Sequence, residues 1–283
     1  MWPDTVGPRL CDRYLERENI MTELTLKVLR ADNTTAAVSR GMDEAYLVFS
    51  DEYKEGDRII LESSEKNIHL VWQVDDALGN ALVYITKKTL SYQVPFGEKK
   101  ICYSPKVFSG NKHYLYARLA TADEVKAYRN LALNPLDQHG DTCCYPHATA
   151  NVETRGESVF AARNAIDGVV ENRSHGEWPY ASWGINRDPD ACLKLDFGRE
   201  VEVDKIVLVT RADFPHDSWW TQATFNFSDG SAIDFPMEKS DKGHVCSFEK
   251  KKISWLTLNK LIKADDPSPF PALTQIEVYG TEA

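Results

Sequence analysis

Short apolar runs that alternate with polar residues, separated by turn-forming residues, are the feature that most constrains this chain. The run at 24–28 places three apolar side chains, Leu24, Leu26 and Val28, on one face and polar side chains on the other. Alternation with a period of two is typical of a β-strand with one buried face. Because the pattern recurs along the chain, it predicts antiparallel β-sheets.

The first half of the chain contains eight such segments. Sequences rich in Gly, Asn and Asp separate them, for example Glu55-Gly56-Asp57, and residues of these types favour turns. Short strands at this spacing are typical of an antiparallel sandwich or jelly roll. The predicted strands are 24–28, 46–49, 58–62, 68–74, 81–85, 90–94, 100–103 and 114–119.

One helix is predicted between the two halves. Thr121 can cap its first turn, and Glu124 lies three residues later, which completes a capping box. The apolar face of the predicted helix 122–132 consists of Val125, Tyr128 and Leu131 or Ala132. Pro135 ends the helix, and the turn-rich segment 134–146 is interpreted as the connector between two domains.

The second half returns to the strand pattern. Asp229-Gly230 lies between two of its apolar runs, which is a strong hairpin signal. The predicted strands are 191–197, 205–210, 223–227, 232–235, 245–248, 253–258 and 275–279. A chain of 283 residues exceeds the usual size of one domain. We therefore expect an all-β protein with two β-sandwich domains joined by a short helix and linker.

The expected boundaries follow from these patterns. We place an N-terminal extension at 1–20, the first sandwich at 21–121, the helix and linker at 122–144, and the second sandwich at 145–283. Six cysteines show neither CxxC pairs nor the spacing of a zinc site. The adjacent Cys143 and Cys144 are expected to be free thiols, with a strained vicinal disulfide as the alternative.

Charge and composition narrow the range of partners. The chain has 33 basic and 43 acidic residues, a net charge of −10, which disfavours binding to a nucleic-acid backbone or an anionic membrane. No apolar run approaches the ~20 residues needed to span a bilayer. Residues 1–20 lack the apolar core of a secretory signal. We therefore expect a cytoplasmic protein, with an exported protein as the alternative.

Four motifs of the second half occur in a distinctive order. They are Ala161-Ala-Arg-Asn-Ala-Ile-Asp167-Gly168, Leu193-Lys-Leu-Asp-Phe-Gly198, Val203-Asp-Lys-Ile-Val-Leu-Val209 and Gln275-Ile-Glu-Val-Tyr-Gly280. Together they resemble the opening A-x-x-A-I-D-G, two core strands and the last strand of galactose-binding-like domains. Discoidin domains, coagulation-factor C-type (F5/8 type C) domains and family 32 carbohydrate-binding modules belong to this group. The resemblance implies a sandwich of this family, similar to a jelly roll, over 145–283.

Two loops of the second half are rich in aromatic and polar residues. They span 175–184 and 210–220 and contain four of the seven tryptophans. An aromatic ring can cover the apolar face of a pyranose, while charged and amide groups bind its hydroxyls. The predicted sugar-binding residues are Trp178, Tyr180, Trp183, Arg211, Asp213, His216, Asp217, Trp219 and Trp220. In the alternative interpretation some of these aromatics fill the core, and Arg211 pairs with Asp213 or Asp217.

The resemblance also implies one structural Ca²⁺ beside the Asp-Gly turn. In such domains the ion is bound by backbone carbonyls, the Asp and a Glu of the last strand, which suits a cation that takes six to eight oxygens. The matching positions are Asp167, Asn172 and Glu277. The sequence 169–171 departs from the small polar residues usual there. Without an ion, the Asp side chain would stabilise the turn by bonding its own backbone.

Signatures of common enzymes are absent from the sequence, including the Walker, GxGxxG, HExxH and GxSxG motifs. His216, Asp217 and Ser218 are adjacent, whereas a catalytic triad is assembled from separate segments. We therefore expect a non-catalytic, lectin-like carbohydrate-binding protein. One alternative is a protein-interaction or assembly module, which includes a homo-oligomer. A third is a carbohydrate-active enzyme with its site between the two domains.

Overall fold

The computed structural model describes residues 21–140 and 142–283. The predicted N-terminal extension, 1–20, lies outside the described residues. Strands dominate both halves, so the prediction of an all-β chain with two sandwiches is confirmed. None of the helices in the described part is both long and apolar enough to cross a membrane.

The first half forms a sandwich of two antiparallel sheets. Its strands are β1 Glu23–Leu29, β2 Thr35–Met42, β3 Glu44–Phe49, β4 Arg58–Ser63, β5 Ile68–Gln73, β6 Asn80–Ile85, β7 Thr89–Gln93 and β8 His113–Leu119. One sheet has the order β2-β1-β4-β7, and the other contains β6-β5-β8-β3. Leu24 and Leu26 of β1 and Trp72 of β5 are buried in one cluster between the sheets. The alternation predicted from the sequence therefore corresponds to an inner apolar face.

The second half is built on one eight-stranded sheet. The connector contributes two strands, β9 Arg129–Asn130 and β10 Cys144–Tyr145. The strands that follow are β11 His147–Ala150, β12 Trp183–Gly184, β13 Leu193–Thr210, β14 Trp220–Phe227, β15 Ala232–Pro236, β16 His244–Lys263 and β17 Ala272–Glu282. The order is β12-β17-β13-β16-β14-β15, with β11 added to β13 and β9 added to β17. The remaining strand, β10, pairs with β6 of the first half.

Two strands of the second half are much longer than predicted. The predicted strands 191–197 and 205–210 are one continuous strand, β13, and 245–248 and 253–258 are both parts of β16. Shifts of register at 196–201 and 203–205 interrupt the pairing of β13 with β16. Such irregularities bend strands, so the sheet wraps around its own core. Fully buried residues of that core include Phe197 and Phe225.

The first half differs from the prediction at two places. Strand β2 was not predicted, because its side chains are exposed or half-buried and its sequence therefore lacks apolar alternation. The predicted strand 100–103 is wrong. A 3₁₀ helix, Gly97–Lys100, includes its first residue, and the amide of Tyr103 donates to the carbonyl of Lys100 in a turn. Cys102 and Tyr103 are buried in this non-strand conformation.

The predicted helix 122–132 is wrong in its length. The helix α1 spans only Ala122–Lys126, and its capping box between Thr121 and Glu124 is present as predicted. The chain beyond it pairs with the last strand through β9, and the amide of Leu131 donates to the carbonyl of Val278 at 2.7 Å. Pairing with β17 therefore replaces the helical hydrogen bonds. Short helical turns elsewhere are Thr154–Gly156, Ser158–Phe160 and Ala162–Ile166.

A cluster of charges joins the last strand to the first sandwich. The carboxylate of Glu282 binds Arg199 through two hydrogen bonds of 2.6 and 2.7 Å and Arg129 through one of 2.7 Å. Nε2 of His69, on β5, lies 3.3 Å from the same carboxylate. Burial acts to raise the pKa of Glu282, but the bonds from Arg199 and the nearness of His69 outweigh it and hold the pKa well below its usual range.

Replacing Glu282 by glutamine should lower the free energy of unfolding at pH 7 by about 2 kcal/mol, because two partly buried arginines lose their anionic partner. The pKa of Glu282 is depressed in the folded state. Its contribution to the free energy of unfolding is therefore present above pH 4.5, the ordinary pKa of a glutamate. This contribution is lost as the pH falls towards the lower pKa of the folded state. In urea denaturation, the difference in the free energy of unfolding between the variant and the parent should decrease below pH 4.

Glu200→Gln is the matched control for this experiment. Glu200 pairs with Lys252 at 2.9 Å, but both side chains are more than half exposed, so the change should not be measurable. An equal loss of stability in the two variants would contradict a specific role for Glu282.

Candidate ligand-binding site

The two aromatic-rich loops meet at one end of the second sandwich. The first loop ends in β12, and the second connects β13 to β14. The amide of Ala212 donates to the carbonyl of Asn172 at 2.7 Å, and the amide of Arg211 donates to the carbonyl of Ala272 at 3.0 Å. The second of these bonds holds the second loop beside the start of β17. Nδ1 of His175, in the first loop, lies 3.0 Å from Oδ2 of Asp213, in the second.

A cavity of about 460 Å³ lies between the loops. Its wall comes from five stretches of the second half, at 154–160, 175, 184–187, 211–216 and 269–272. The volume lies within the range of about 300–1,000 Å³ common for small-molecule sites. The cavity can therefore hold a ligand of the size of a small saccharide.

Three rings form a nearly parallel stack at this cavity. The ring of His216 lies 4.1 Å from that of His175, with an angle of 2° between the planes. The centres of the His216 and Phe270 rings lie 5.4 Å apart, with an angle of 13° between the planes. Phe270 remains 38% exposed, and the guanidinium of Arg187 lies 4.8 Å from its ring centre. The cavity thus has an aromatic wall with a cation beside it.

Each histidine of the stack is oriented by a carboxylate. Nδ1 of His175 lies 3.0 Å from Oδ2 of Asp213, and Nδ1 of His216 lies 3.1 Å from Oδ1 of Asp217. A carboxylate accepts hydrogen bonds, so Nδ1 of each ring carries the proton that is donated to it. The Nε2 atoms are then left for a ligand.

A buried ion pair holds the second loop in place. Arg211 and Asp217 are 4% and 1% exposed. Nε of Arg211 donates to Oδ1 of Asp217 at 2.9 Å, and its Nη2 makes a second bond to the same oxygen. Nη2 also donates to the carbonyl of Phe270 at 3.2 Å, and the amide of Asp213 donates to Oδ2 of Asp217 at 2.9 Å. The alternative interpretation of Arg211 as a partner of Asp217 is confirmed, and the pair positions three parts of the cavity wall.

Two of the predicted ligand-binding tryptophans lie in the core instead. Trp183 and Trp220 are fully buried, and Nε1 of Trp183 donates to the carbonyl of Val152 at 3.0 Å. A ring without exposed surface offers no face to a ligand, so the prediction for these two residues is wrong. They begin β12 and β14, where the first residue of each strand already points inward.

The other predicted aromatics lie outside the cavity wall. Trp178 is 40% exposed, and its amide donates to the carbonyl of Ile101 at 2.9 Å, so it lies against the first sandwich. Tyr180 is half-buried in the same loop. Trp219 makes an edge contact with Phe214 at 6.3 Å, and Nζ of Lys239 lies 4.9 Å from its ring. The predicted cluster is therefore divided over three places.

Several residues of the cavity are not identified by their sequence pattern. Phe270, Asn186, Arg187, Arg155 and His175 were not among the predicted site residues, yet all line the cavity. The one signal for Phe270 is its position between Pro269 and Pro271, which keeps an aromatic residue in a loop. Asn186 and Arg187 have positive φ angles of 50° and 61°, a turn that their sequence does not reveal.

The predicted Ca²⁺ position is occupied by protein contacts around Asp167. Its Oδ1 accepts hydrogen bonds from the amide of Val169 at 2.8 Å and from Nε2 of Gln275 at 2.7 Å. Nη1 of Arg163 lies 3.8 Å from its other oxygen. Burial raises the pKa of Asp167 to about 6. The bond to its own backbone is the one expected for a turn without an ion.

The two other predicted metal ligands are also engaged with protein groups. Nδ2 of Asn172 donates to the carbonyls of Thr210 and Asp241, at 2.8 and 3.2 Å. Glu277 accepts from the hydroxyl of Tyr279 at 3.0 Å. Calcium requires several oxygen ligands, and a guanidinium beside the main carboxylate opposes its binding. The residues present do not fit a Ca²⁺ ion, and we place none at this turn.

A second cavity, of about 220 Å³, lies between residues of the two halves. Cys102 lines it, and burial raises the pKa of its thiol. The thiol donates to the carbonyl of Lys99 at 3.7 Å and receives Nη1 of Arg163 at 3.8 Å. Neither group is a base that could activate the sulfur. Cys144 is a free thiol, so the alternative of a vicinal disulfide with its neighbour is wrong.

Adjacent tryptophans should respond differently to truncation. Trp220→Ala removes a fully buried ring and should lower the free energy of unfolding by about 3–5 kcal/mol. Trp219→Ala removes a half-exposed ring and should cost less than about 1 kcal/mol. Urea denaturation followed by circular dichroism measures both, and equal losses would contradict the assigned burial.

One protein family and several solved structures are similar to parts of this chain. Residues 144–266 match the model of a domain of unknown function, DUF7402, and no curated protein matches the chain. One similar solved structure is chitosan-binding module 1 of a chitosanase/glucanase from Paenibacillus sp. IK-5, with TM-score 0.38, 19% identity, and 53% of this chain and 98% of that chain covered.

Two further structures show similarity of the same order. The family 32 module of NanJ from C. perfringens, in complex with galactose, has TM-score 0.35 and 18% identity, over 47% of this chain and 91% of that chain. The lectin domain of lectinolysin, in complex with Lewis B antigen, has TM-score 0.41 and 17% identity, over 54% of this chain and 96% of that chain. These neighbours are carbohydrate-binding modules and a lectin domain of the galactose-binding-like fold.

Proposed function

We propose that this chain is a non-catalytic carbohydrate-binding protein whose ligand occupies the 460 Å³ cavity of the second sandwich. The observation that carries the proposal is the combination of an exposed aromatic ring, Phe270, with polar side chains on the same wall. A pyranose has an apolar C–H face and a rim of hydroxyls, and sites that bind it supply both kinds of contact.

The polar groups of the wall match the hydroxyls of a sugar. Nε2 of His175 and of His216 can each exchange a hydrogen bond with a hydroxyl, since the Nδ1 atoms are held by carboxylates. Asn186 adds an amide with both donor and acceptor atoms. Hydrogen bonds of this kind contribute about 1 kcal/mol each, so we expect modest affinity for a single saccharide.

The wall is held in shape before a ligand arrives. The buried pair of Arg211 and Asp217 ties the second loop to Phe270 and orients His216. A preformed site loses less conformational entropy on binding. This supports recognition of a small ligand by a rigid surface.

The carboxylates beside the cavity support binding without catalysis. Glycoside hydrolysis uses two carboxyl groups that flank the scissile bond, one as a proton donor. Asp217 is buried beneath Arg211, and Asp213 is bound to His175. Both carboxylates therefore orient other groups instead of facing a substrate as a free pair.

The test is isothermal titration calorimetry against a broad panel of mono- and oligosaccharides. The similar structures include proteins described with chitosan, galactose and Lewis B antigen, so the panel must cover different sugar types. Phe270→Ala should weaken binding of the preferred saccharide at least tenfold, which corresponds to about 1.4 kcal/mol. Thermal unfolding should show that the variant remains folded.

Trp178→Ala is the control, because Trp178 is an aromatic residue of similar exposure at a different place. This variant should bind the preferred saccharide with the same affinity as the parent. Absence of binding to every saccharide would overturn the proposal. If light scattering then showed a stable dimer, the assembly-module alternative would be favoured.

A further inference from the structure

The cavity is basic although the chain is acidic. Three arginines line it, Arg155, Arg187 and Arg211, together with the two stacked histidines. No Asp or Glu occurs among the residues that form its wall. The whole chain, by contrast, has ten more acidic than basic residues. This local excess of positive charge favours an anionic ligand.

Two of the three arginines already have carboxylate partners. Arg155 binds Glu157 through two hydrogen bonds of 2.5 and 2.7 Å. Arg211 forms the buried pair with Asp217. Their charges are therefore largely balanced by the protein itself.

Arg187 is different. Within the described ranges 21–140 and 142–283 it forms no ion pair, and its recorded contact is the face of Phe270 at 4.8 Å. The carboxylates nearest in sequence or at the cavity mouth have other partners. Asp188 accepts the amide of Asp190 at 2.8 Å, and Asp213 is bound to His175. One guanidinium at the cavity thus has no anionic partner from the protein.

We infer that the ligand is an acidic saccharide whose carboxylate binds Arg187 while its ring contacts Phe270. This inference rests on the proposed function of the same cavity. The planar guanidinium matches a carboxylate with two parallel hydrogen bonds. A uronic acid carries its carboxylate on the carbon where a neutral hexose has a primary alcohol. One sugar residue can therefore contact Arg187 with its carboxylate and Phe270 with its ring.

The test compares one uronic-acid trisaccharide, trigalacturonic acid, with its carboxyl-reduced counterpart, using the full chain and isothermal titration calorimetry. The acidic form should bind at least tenfold more tightly at 50 mM NaCl. This preference should shrink at 500 mM NaCl, because salt screens the interaction at an accessible site. Arg187→Gln should remove the preference, so that this variant binds the acidic and the reduced trisaccharide with equal affinity.

Arg155→Gln is the control, because Arg155 is 64% exposed and already paired with Glu157. It should retain the preference for the acidic form. Equal binding of the acidic and the reduced trisaccharide would overturn the inference and leave the proposed function standing. The inference would also be overturned, and the proposed function would stand, if neutral saccharides of the broad panel bound and trigalacturonic acid did not. If no saccharide of either set binds, the proposed function fails as well.

Discussion

The buried ion pair between Arg211 and Asp217 is the interaction on which the geometry of the cavity depends. Removing two charges from water is costly, and the cost is offset only when their remaining hydrogen-bonding capacity is also used. Here the guanidinium reaches the carbonyl of Phe270, and the carboxylate accepts the amide of Asp213 and orients His216. One pair therefore fixes an aromatic ring, a histidine and the course of a loop relative to the sheet.

The fold could be predicted because its signal is local. Alternation of apolar residues identifies a strand whatever it pairs with, and Leu24–Val28 or Ile68–Val74 show it within a few residues. The helix at 122 shows the limit of such signals. Its capping box determines the first turn, but pairing with β17, which lies far along the chain, determines where the helix ends. Long-range pairing leaves no trace in a short window of sequence.

The candidate site could be predicted only in part, for a related reason. Trp219 and Trp220 are neighbours with the same composition around them, and only the start of β14 decides that Trp220 points inward. Arg211, Asp213, His216 and Asp217 were identified because they share one loop. Phe270 and Arg187 belong to other loops, and they become part of the site only when the sheet brings 184–187 and 269–272 together.

The two connector strands are interleaved between the halves. Strand β9 at 129–130 joins the second sheet, whereas β10 at 144–145, later in the chain, joins the first. A single cut anywhere between them leaves both strands attached to the wrong half, with backbone groups that lose their partners. Neither sandwich can therefore be separated from the other at one point of the chain without the loss of strand pairing.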